Sequence, residues 1–195
     1  SAYYAGMIGK SLFEENGVRA VVEVASEYRY KKVLYDRKTL VILISQSGET
    51  ADTIAAMRKA IDNNIDTLAI VNVKTSTIAR ESKNQIFIEV GPEIAVATTK
   101  AYILQVAILS LLAYSCGERD SKVLKDFTKV PSLLREVLDR KDEYLKIAKD
   151  IYKNDNIFFI GRKLDYSICM EGSLKLKEVS YVHSEAYQAG ELKHG

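Results

Sequence analysis

The sequence has few of the residues that disulfides and metal centres require. Only two of its 195 residues are cysteines, and two are histidines. Cys116 and Cys169 lie far apart in the chain and among apolar neighbours, as reduced core residues do, and the histidines complete no zinc-binding spacing. We therefore expect no disulfide, no metal site and no cofactor.

Charge and hydropathy exclude further classes of protein. The net charge is +2 at pH 7, and no basic run is dense enough to follow a nucleic-acid backbone. No apolar stretch reaches the length of a membrane span, and no signal peptide opens the chain. The composition, 47% hydrophobic and 28% charged, is typical of a globular protein. We expect a cytoplasmic protein that binds neither nucleic acid nor membrane.

The loop at residues 45–50 has the composition of a binding site. A β-branched apolar run at residues 40–44 changes to hydroxyl residues and glycine at 45–50, and a helix-forming segment follows. The first turn of a helix attracts anions, and Ser45, Ser47 and Thr50 add three hydroxyl donors. Helix capping would explain any one of these hydroxyls, but three together favour a phosphate-binding loop.

Strands and helices alternate along the chain. Strands are predicted at residues 18–24, 40–44, 67–73, 85–90 and 156–161. Helices are predicted at residues 1–16, 51–63, 75–82, 97–114 and 167–182. This alternation implies an α/β protein with a doubly wound parallel sheet covered on both faces, and ligands then bind beyond the C-terminal ends of the strands.

The helix at residues 97–114 is apolar on nearly every side. Gln105, Ser110 and the flanking charges indicate a buried helix or a subunit interface rather than a membrane span, and we favour the interface. A polar helical stretch follows, in which Pro131 is predicted to open a second helix.

The predicted domains are a first α/β domain at residues 1–130, a helical connector at 131–153 and an incomplete second α/β unit at 154–195. The chain begins without methionine and stops inside a segment with functional character. We expect it to be a piece of a longer protein.

The helix of the second unit carries three ionisable residues on one face. Glu171, Lys175 and Glu178 are spaced by four and three residues, and ordinary surface salt bridges would explain such a triplet. Residues 183–195 weaken that explanation, because they have few core-forming side chains and many hydrogen-bonding ones. Loops with that composition often line binding sites.

Three motifs together resemble one family. They are SQSGETADT at residues 45–53, GPEIAVATTKAY at 91–102, and the segment from EGSLKLKE to GELKHG at 171–195. They are similar to the isomerase region of glucosamine-6-phosphate synthases, which consists of two sugar-isomerase (SIS) domains. The resemblance covers almost the whole chain. It implies a flavodoxin-like SIS domain, followed by the truncated start of a second SIS domain, and a homodimer.

The resemblance also implies which residues bind the substrate. The substrate phosphate would be held by Ser45, Gln46, Ser47 and Thr50. The sugar would lie along Ser1, Val96 and Thr98. The family usually has serine at the position of Thr98, so this chain keeps the hydroxyl and adds a methyl group.

Three further residues match the catalytic groups of the family. Glu178 would move a proton between C1 and C2 of the sugar, and Lys175 would assist. His194 would open the sugar ring in the neighbouring subunit. General chemistry agrees, since interconversion of an aldose and a ketose needs a carboxylate at those protons, a cation for the developing charge, and a group that protonates the ring oxygen.

The implied enzyme makes glucosamine 6-phosphate from fructose 6-phosphate and glutamine. The family also uses a glutaminase domain and a C-terminal Schiff-base lysine, neither of which lies in these 195 residues. We therefore expect the chain alone to bind sugar phosphate weakly and to be inactive. Two other interpretations stay open: a non-catalytic SIS module that senses a sugar phosphate, and a related sugar-phosphate deaminase or deglycase.

Overall fold

The structure is a computed structural model that describes residues 1–36, 38–117 and 121–194. Its helices are α1 Ala2–Glu15, α2 Ala25–Tyr28, α3 Ala51–Asp62, α4 Thr77–Glu81, α5 Lys100–Cys116, α6 Ser121–Phe127, α7 Val130–Asp139, α8 Lys141–Ile151 and α9 Leu164–Ser180. Its strands are β1 Leu40–Ser45, β2 Asp66–Val71, β3 Asn84–Phe87, β4 Asn156–Gly161 and β5 His183–Gln188. A 3₁₀ turn, Leu192–His194, follows β5.

The first sheet is parallel, with the strand order β1-β2-β3. Its central strand, β2, is buried along five of its six residues, as expected for a strand covered on both faces. The register places Ser45, the last residue of β1, opposite Val71, the last residue of β2. The two strands therefore end at the same edge, where a ligand can bind.

Helices cover both faces of this sheet. One buried cluster, under α1 and α5, comprises Ala5, Ile8, Leu12, Phe13, Ile70, Ile88, Leu109 and Ala113. The other, under α3 and α4, comprises Leu43, Ala56, Met57, Ala69, Val71, Ile78 and Ala79. Neighbouring residues of β2 enter opposite clusters because successive side chains of a strand alternate. The predicted doubly wound α/β fold is confirmed.

The second unit is a parallel pair of strands, β4 and β5, with α9 packed on it. The helix α9 also packs on α1 of the first unit. Ser173 on α9 and Ser184 on β5 are both buried, and their hydroxyls lie 2.8 Å apart. The strand β4 and the helix after it were expected from the sequence. Assignment of this unit to a second SIS domain, and the three domain boundaries, stay predictions.

Two expectations about the backbone are wrong. The predicted strand at 18–24 pairs with no other strand in the described part of the chain, although Val18 and Ala20 pack against the first cluster. The apolar residues alternate in this segment because they pack against the cluster under α1. They do not take part in hydrogen bonds between strands. Conversely, residues 183–188 form β5 instead of part of a polar loop. A search for alternating apolar residues does not detect a polar strand of this kind, because its buried side chains are stabilised by hydrogen bonds and need not be apolar.

Residues 121–153 contain three helices, α6, α7 and α8, rather than the predicted two. Pro131 lies in the first turn of α7, as predicted. No residue of α7 or α8 is buried. The sequence that fills these helices is amphipathic, so their apolar stripe faces solvent in this chain.

Both cysteines are free, but Cys116 is exposed and was wrongly placed in the core. It lies in the last turn of α5, past the buried part of that helix. Across the described residues, no three His, Cys, Asp or Glu side chains are grouped as metal ligands would be. Within the same ranges, no helix has the length and apolar character needed to cross a membrane.

Candidate functional site

A cavity of about 280 Å³ lies beside the C-terminal end of β1. Most of the residues predicted to form the site line it, namely Ser1, Ser45, Gln46, Thr50, Thr98, Lys175 and Glu178. The remaining wall is formed by Ala2, Ile44, Thr53 and Gln105. The fold thus brings the start of α1, the loop after β1, and parts of α5 and α9 to one place.

The loop after β1 depends on Gly48 for its shape. Gly48 has a φ of +69°, and a Cβ at this position would lie 2.1 Å from Ser76 Oγ. The Gly48 N–H donates to Ser45 Oγ at 3.1 Å, and the hydroxyl oxygens of Ser45 and Thr50 lie 3.3 Å apart. Only glycine fits this position, and the resulting turn brings the two hydroxyls together.

Thr50 stands directly before α3, where a side chain often caps the helix. Its hydroxyl makes no capping hydrogen bond, so capping does not explain this residue. The first-turn N–H groups of a helix have no partners within it and carry the positive end of the helix dipole. The loop and the start of α3 therefore offer hydroxyl and N–H donors to an anion such as phosphate.

Another part of the wall carries an ion pair on α9. Lys175 Nζ contacts the Glu178 carboxylate, and the two side chains are 21% and 29% exposed. Lys175 Nζ also lies 3.7 Å from Glu171 Oε1. One ammonium group is therefore held between two carboxylates of the same helix.

Glu171 lies behind this pair and is only 5% exposed. Its Oε1 accepts a hydrogen bond from Ser1 Oγ at 2.7 Å, and its Oε2 has no hydrogen-bond partner among the described residues. The surface salt bridge suggested by helix spacing is therefore wrong for Glu171. Its carboxylate instead connects the start of α1 to Lys175 on α9.

Two tyrosines respond to this buried carboxylate. Burial, with a smaller effect from the charge of Glu171, raises the pKa of Tyr102 to about 12. The same two causes raise the pKa of Tyr4. The Tyr102 oxygen has no hydrogen-bond partner within the described ranges.

Three of the predicted site residues lie outside the cavity wall. Ser47 is exposed, and its Oγ accepts the N–H of Glu49 at 3.2 Å. Val96 is 94% exposed, and His194 is exposed on the 3₁₀ turn. The roles in binding and ring opening that the resemblance implies for them stay predictions.

The sequence analysis did not assign the wall residues Ala2, Ile44, Thr53 and Gln105 to the site, nor Glu171 behind the wall. Gln105 served only as evidence that α5 is not a membrane span, although a lone amide in an apolar helix was the available signal. For Glu171, the signal was its four-residue spacing from Lys175, which does not by itself distinguish a buried contact from a surface one.

The fold and the cavity together define an α/β protein with a ligand site at the C-terminal edge of a parallel sheet. The model of one family, the SIS domain, matches residues 1–115 and 150–195. The chain belongs to the SIS domain family, which confirms the resemblance noted in the sequence.

Curated relatives resemble the whole of this chain. A protein of Caldanaerobacter subterraneus subsp. tengcongensis, named glutamine–fructose-6-phosphate aminotransferase [isomerizing], is 44% identical over 204 residues, with 100% of this chain and 34% of the relative covered. A protein of the same name from Methanosarcina acetivorans is 43% identical, with coverages of 100% and 33%. The chain spans about a third of the length of these relatives.

Solved structures share the fold. The C-terminal domain of glucosamine-fructose-6-phosphate aminotransferase from Francisella tularensis matches with a TM-score of 0.94 and 37% identity, covering 100% of this chain and 58% of that one. A glucosamine-6-phosphate deaminase from Thermotoga maritima matches with a TM-score of 0.79 at 24% identity, covering 99% and 60%. At that identity the deaminase supports the fold alone.

Proposed function

We propose that the full-length protein converts fructose 6-phosphate and glutamine to glucosamine 6-phosphate and glutamate, and that this chain supplies the sugar-isomerase part. One observation carries the proposal: a single cavity joins an anion-binding loop to the Lys175–Glu178 ion pair. The names of the curated relatives support the same reaction.

The phosphate group of the sugar binds at the loop after β1. Ser45 and Thr50 present their hydroxyls 3.3 Å apart, and α3 begins directly after them. Phosphate accepts hydrogen bonds and is attracted to the positive end of a helix dipole. This end of the cavity fixes the substrate and takes no part in bond changes.

The proton chemistry takes place at Glu178. Its carboxylate removes a proton from C1 or C2 and returns it to the other carbon, while a hydroxyl proton passes between O1 and O2, so the isomerisation needs no external proton. Lys175 contacts this carboxylate and supplies a cation beside the enediol-like charge that develops on the sugar oxygens. Both side chains are partly shielded from water, which strengthens these interactions.

His194 is proposed to act across a homodimer. It is exposed and does not line the cavity of its own chain, which supports a role toward a second subunit. A glutaminase domain elsewhere in the full-length protein and a cytoplasmic location belong to the same proposal.

Glu178→Gln in the full-length protein tests the catalytic assignment. The amide keeps the size of the side chain but cannot act as a base, so we expect turnover to fall by about 10²–10⁴-fold. Affinity for fructose 6-phosphate, measured by calorimetry, should stay nearly unchanged. Asp165→Asn is the matched control, since Asp165 is an exposed carboxylate on the same helix outside the cavity.

The same experiment separates the alternatives. A sensor module would bind sugar phosphate without turnover in the wild type, and unchanged turnover in the Glu178→Gln variant would contradict the assignment of the base. A deaminase would release ammonia from glucosamine 6-phosphate and would not consume glutamine. Measuring glutamate and ammonia together distinguishes that activity from synthesis.

A further inference from the structure

The helix α5 contains a buried amide whose oxygen makes no hydrogen bond with the described residues. Gln105 is 2% exposed, and its Oε1 has no hydrogen-bond partner among the residues described. Ser110, the other buried polar residue of α5, is satisfied, because its hydroxyl donates to the Val106 carbonyl at 2.7 Å. A buried polar atom without a partner is unfavourable, so the isolated state of Gln105 Oε1 needs an explanation.

The cavity supplies that explanation, since Gln105 forms part of its wall. The same wall carries Ser45 and Thr50 of the anion-binding loop and the Lys175–Glu178 pair. Gln105 is less exposed than any of these, which places it at the floor of the cavity. A molecule bound by both the loop and the ion pair would therefore lie over this amide.

The chemistry of the wall limits what can pair with Gln105. A phosphate dianion only accepts hydrogen bonds and cannot satisfy a carbonyl oxygen. Lys175 is already held by two carboxylates. A sugar hydroxyl fits, because it can both donate and accept and therefore pairs with either end of the amide, whose oxygen and nitrogen a half-turn about the last bond exchanges.

We propose that Gln105 is a substrate-binding residue that hydrogen-bonds one hydroxyl of the sugar phosphate and so selects the sugar, as distinct from the phosphate. The inference rests on the proposed function, because it takes a sugar phosphate as the occupant of the cavity. It assigns recognition of the phosphate to the loop after β1 and recognition of the sugar to α5.

The test uses the full-length protein and the variant Gln105→Met, which keeps the length of the side chain and removes the amide. Binding of fructose 6-phosphate, of its singly deoxygenated analogues and of inorganic phosphate is measured by calorimetry. We expect Gln105→Met to weaken binding of fructose 6-phosphate by about tenfold, as expected when a buried hydrogen bond is lost, and to leave inorganic phosphate within about twofold. Ser110→Ala, on the same helix but outside the cavity, should change neither.

The deoxy analogues identify the hydroxyl. In the wild type, one analogue should bind about tenfold more weakly than fructose 6-phosphate. The Gln105→Met variant should bind that analogue and fructose 6-phosphate equally well. The substitution and the missing hydroxyl each remove the same hydrogen bond, so their effects do not add. Gln105→Leu, which also fills the space without polar atoms, should behave in the same way and serves if the methionine variant does not fold.

Three results would decide against the proposal. Equal weakening of fructose 6-phosphate and inorganic phosphate would indicate a structural role for Gln105. Additive effects of Gln105→Met and every deoxy analogue would show that no sugar hydroxyl pairs with the amide. A wild-type protein that binds inorganic phosphate but no sugar phosphate would instead overturn the proposed function itself.

Discussion

At one end of the cavity, the loop after β1 gathers its donors from six consecutive residues. Behind the other end, Ser1 and Glu171 meet although 170 positions separate them. The loop needs only a strand, a glycine and a helix start in succession, and these form locally. The Glu171 end exists only because α9 packs on α1. The site therefore combines a locally encoded anchor with chemistry that depends on the tertiary fold.

The largest effect should come from Gly48→Ala, which disrupts the loop after β1. The new Cβ would collide with Ser76 Oγ and would also occupy a positive φ, so the loop must change shape. We expect loss of sugar-phosphate binding and a fall of more than about 1–3 kcal/mol in the free energy of unfolding, the range for strain alone. Chemical denaturation and calorimetry measure the two effects.

Gly17→Ala provides the matched comparison for that prediction. Gly17 has a φ of +76°, but a Cβ added there would meet no atom of the described residues within 4 Å, so the substitution adds only strain. It should lose about 1–3 kcal/mol of stability and no binding. Equal behaviour of the two variants would mean that the loop does not depend on close packing against Ser76.

Glu171→Gln changes the part of the site that is formed by packing between α1 and α9, and we expect it to affect catalysis rather than binding. The substitution keeps the size and the acceptor for Ser1 but removes one of the two negative charges that hold Lys175. We expect kcat of the full-length protein to fall by about tenfold or more as Lys175 shifts, since small misplacements of catalytic groups have effects up to about 10²-fold. KM should change little, because Glu171 does not line the cavity.

Stability gives a second readout for the same variant. Glu171→Gln removes the cost of a buried charge together with the attraction of that charge to Lys175, so the free energy of unfolding should change little. A fall in stability with unchanged kcat would assign Glu171 to the structure and leave the positioning of Lys175 to Glu178 alone.

The smallest effect concerns pH and Tyr102. An unfolded tyrosine ionises near pH 10, whereas Tyr102 in the fold has a pKa of about 12. Between those values the unfolded state binds fewer protons than the folded state, so stability present below pH 10 is lost as the pH rises through 12. Tyr102→Phe should lack this contribution, and its unfolding free energy should fall less steeply above pH 10.

Denaturant unfolding at a series of pH values checks the difference between the two proteins. At pH 7 the phenylalanine variant should be as stable as the wild type or more stable, because it removes a buried hydroxyl that has no partner in the described part of the chain. Parallel curves across pH 9–12 would contradict the raised pKa and, with it, the burial of Tyr102 beside Glu171.

Prediction from sequence succeeded for segments whose structure depends only on their own apolar pattern and turn residues. The apolar run of β1, the glycine turn and the start of α3 occur in succession, and their structure follows. It failed for residues 18–24, which pack like a strand but pair with none in the described part of the chain. It failed also for β5, whose buried Ser184 is satisfied by Ser173 rather than by apolar contacts. Hydrophobic patterns report burial and cannot report hydrogen-bond partners.

The sequence by itself determined the parallel α/β fold, the glycine loop after β1 and the Lys175–Glu178 spacing, because each depends on residues close together in the chain. Only the tertiary structure decided that the loop and the ion pair share one cavity. It also decided that Glu171 is buried against Ser1 and that Gln105 lines the cavity with its Oε1 unpaired among the described residues. Burial and distance across the fold arise from packing between helices that no local pattern specifies.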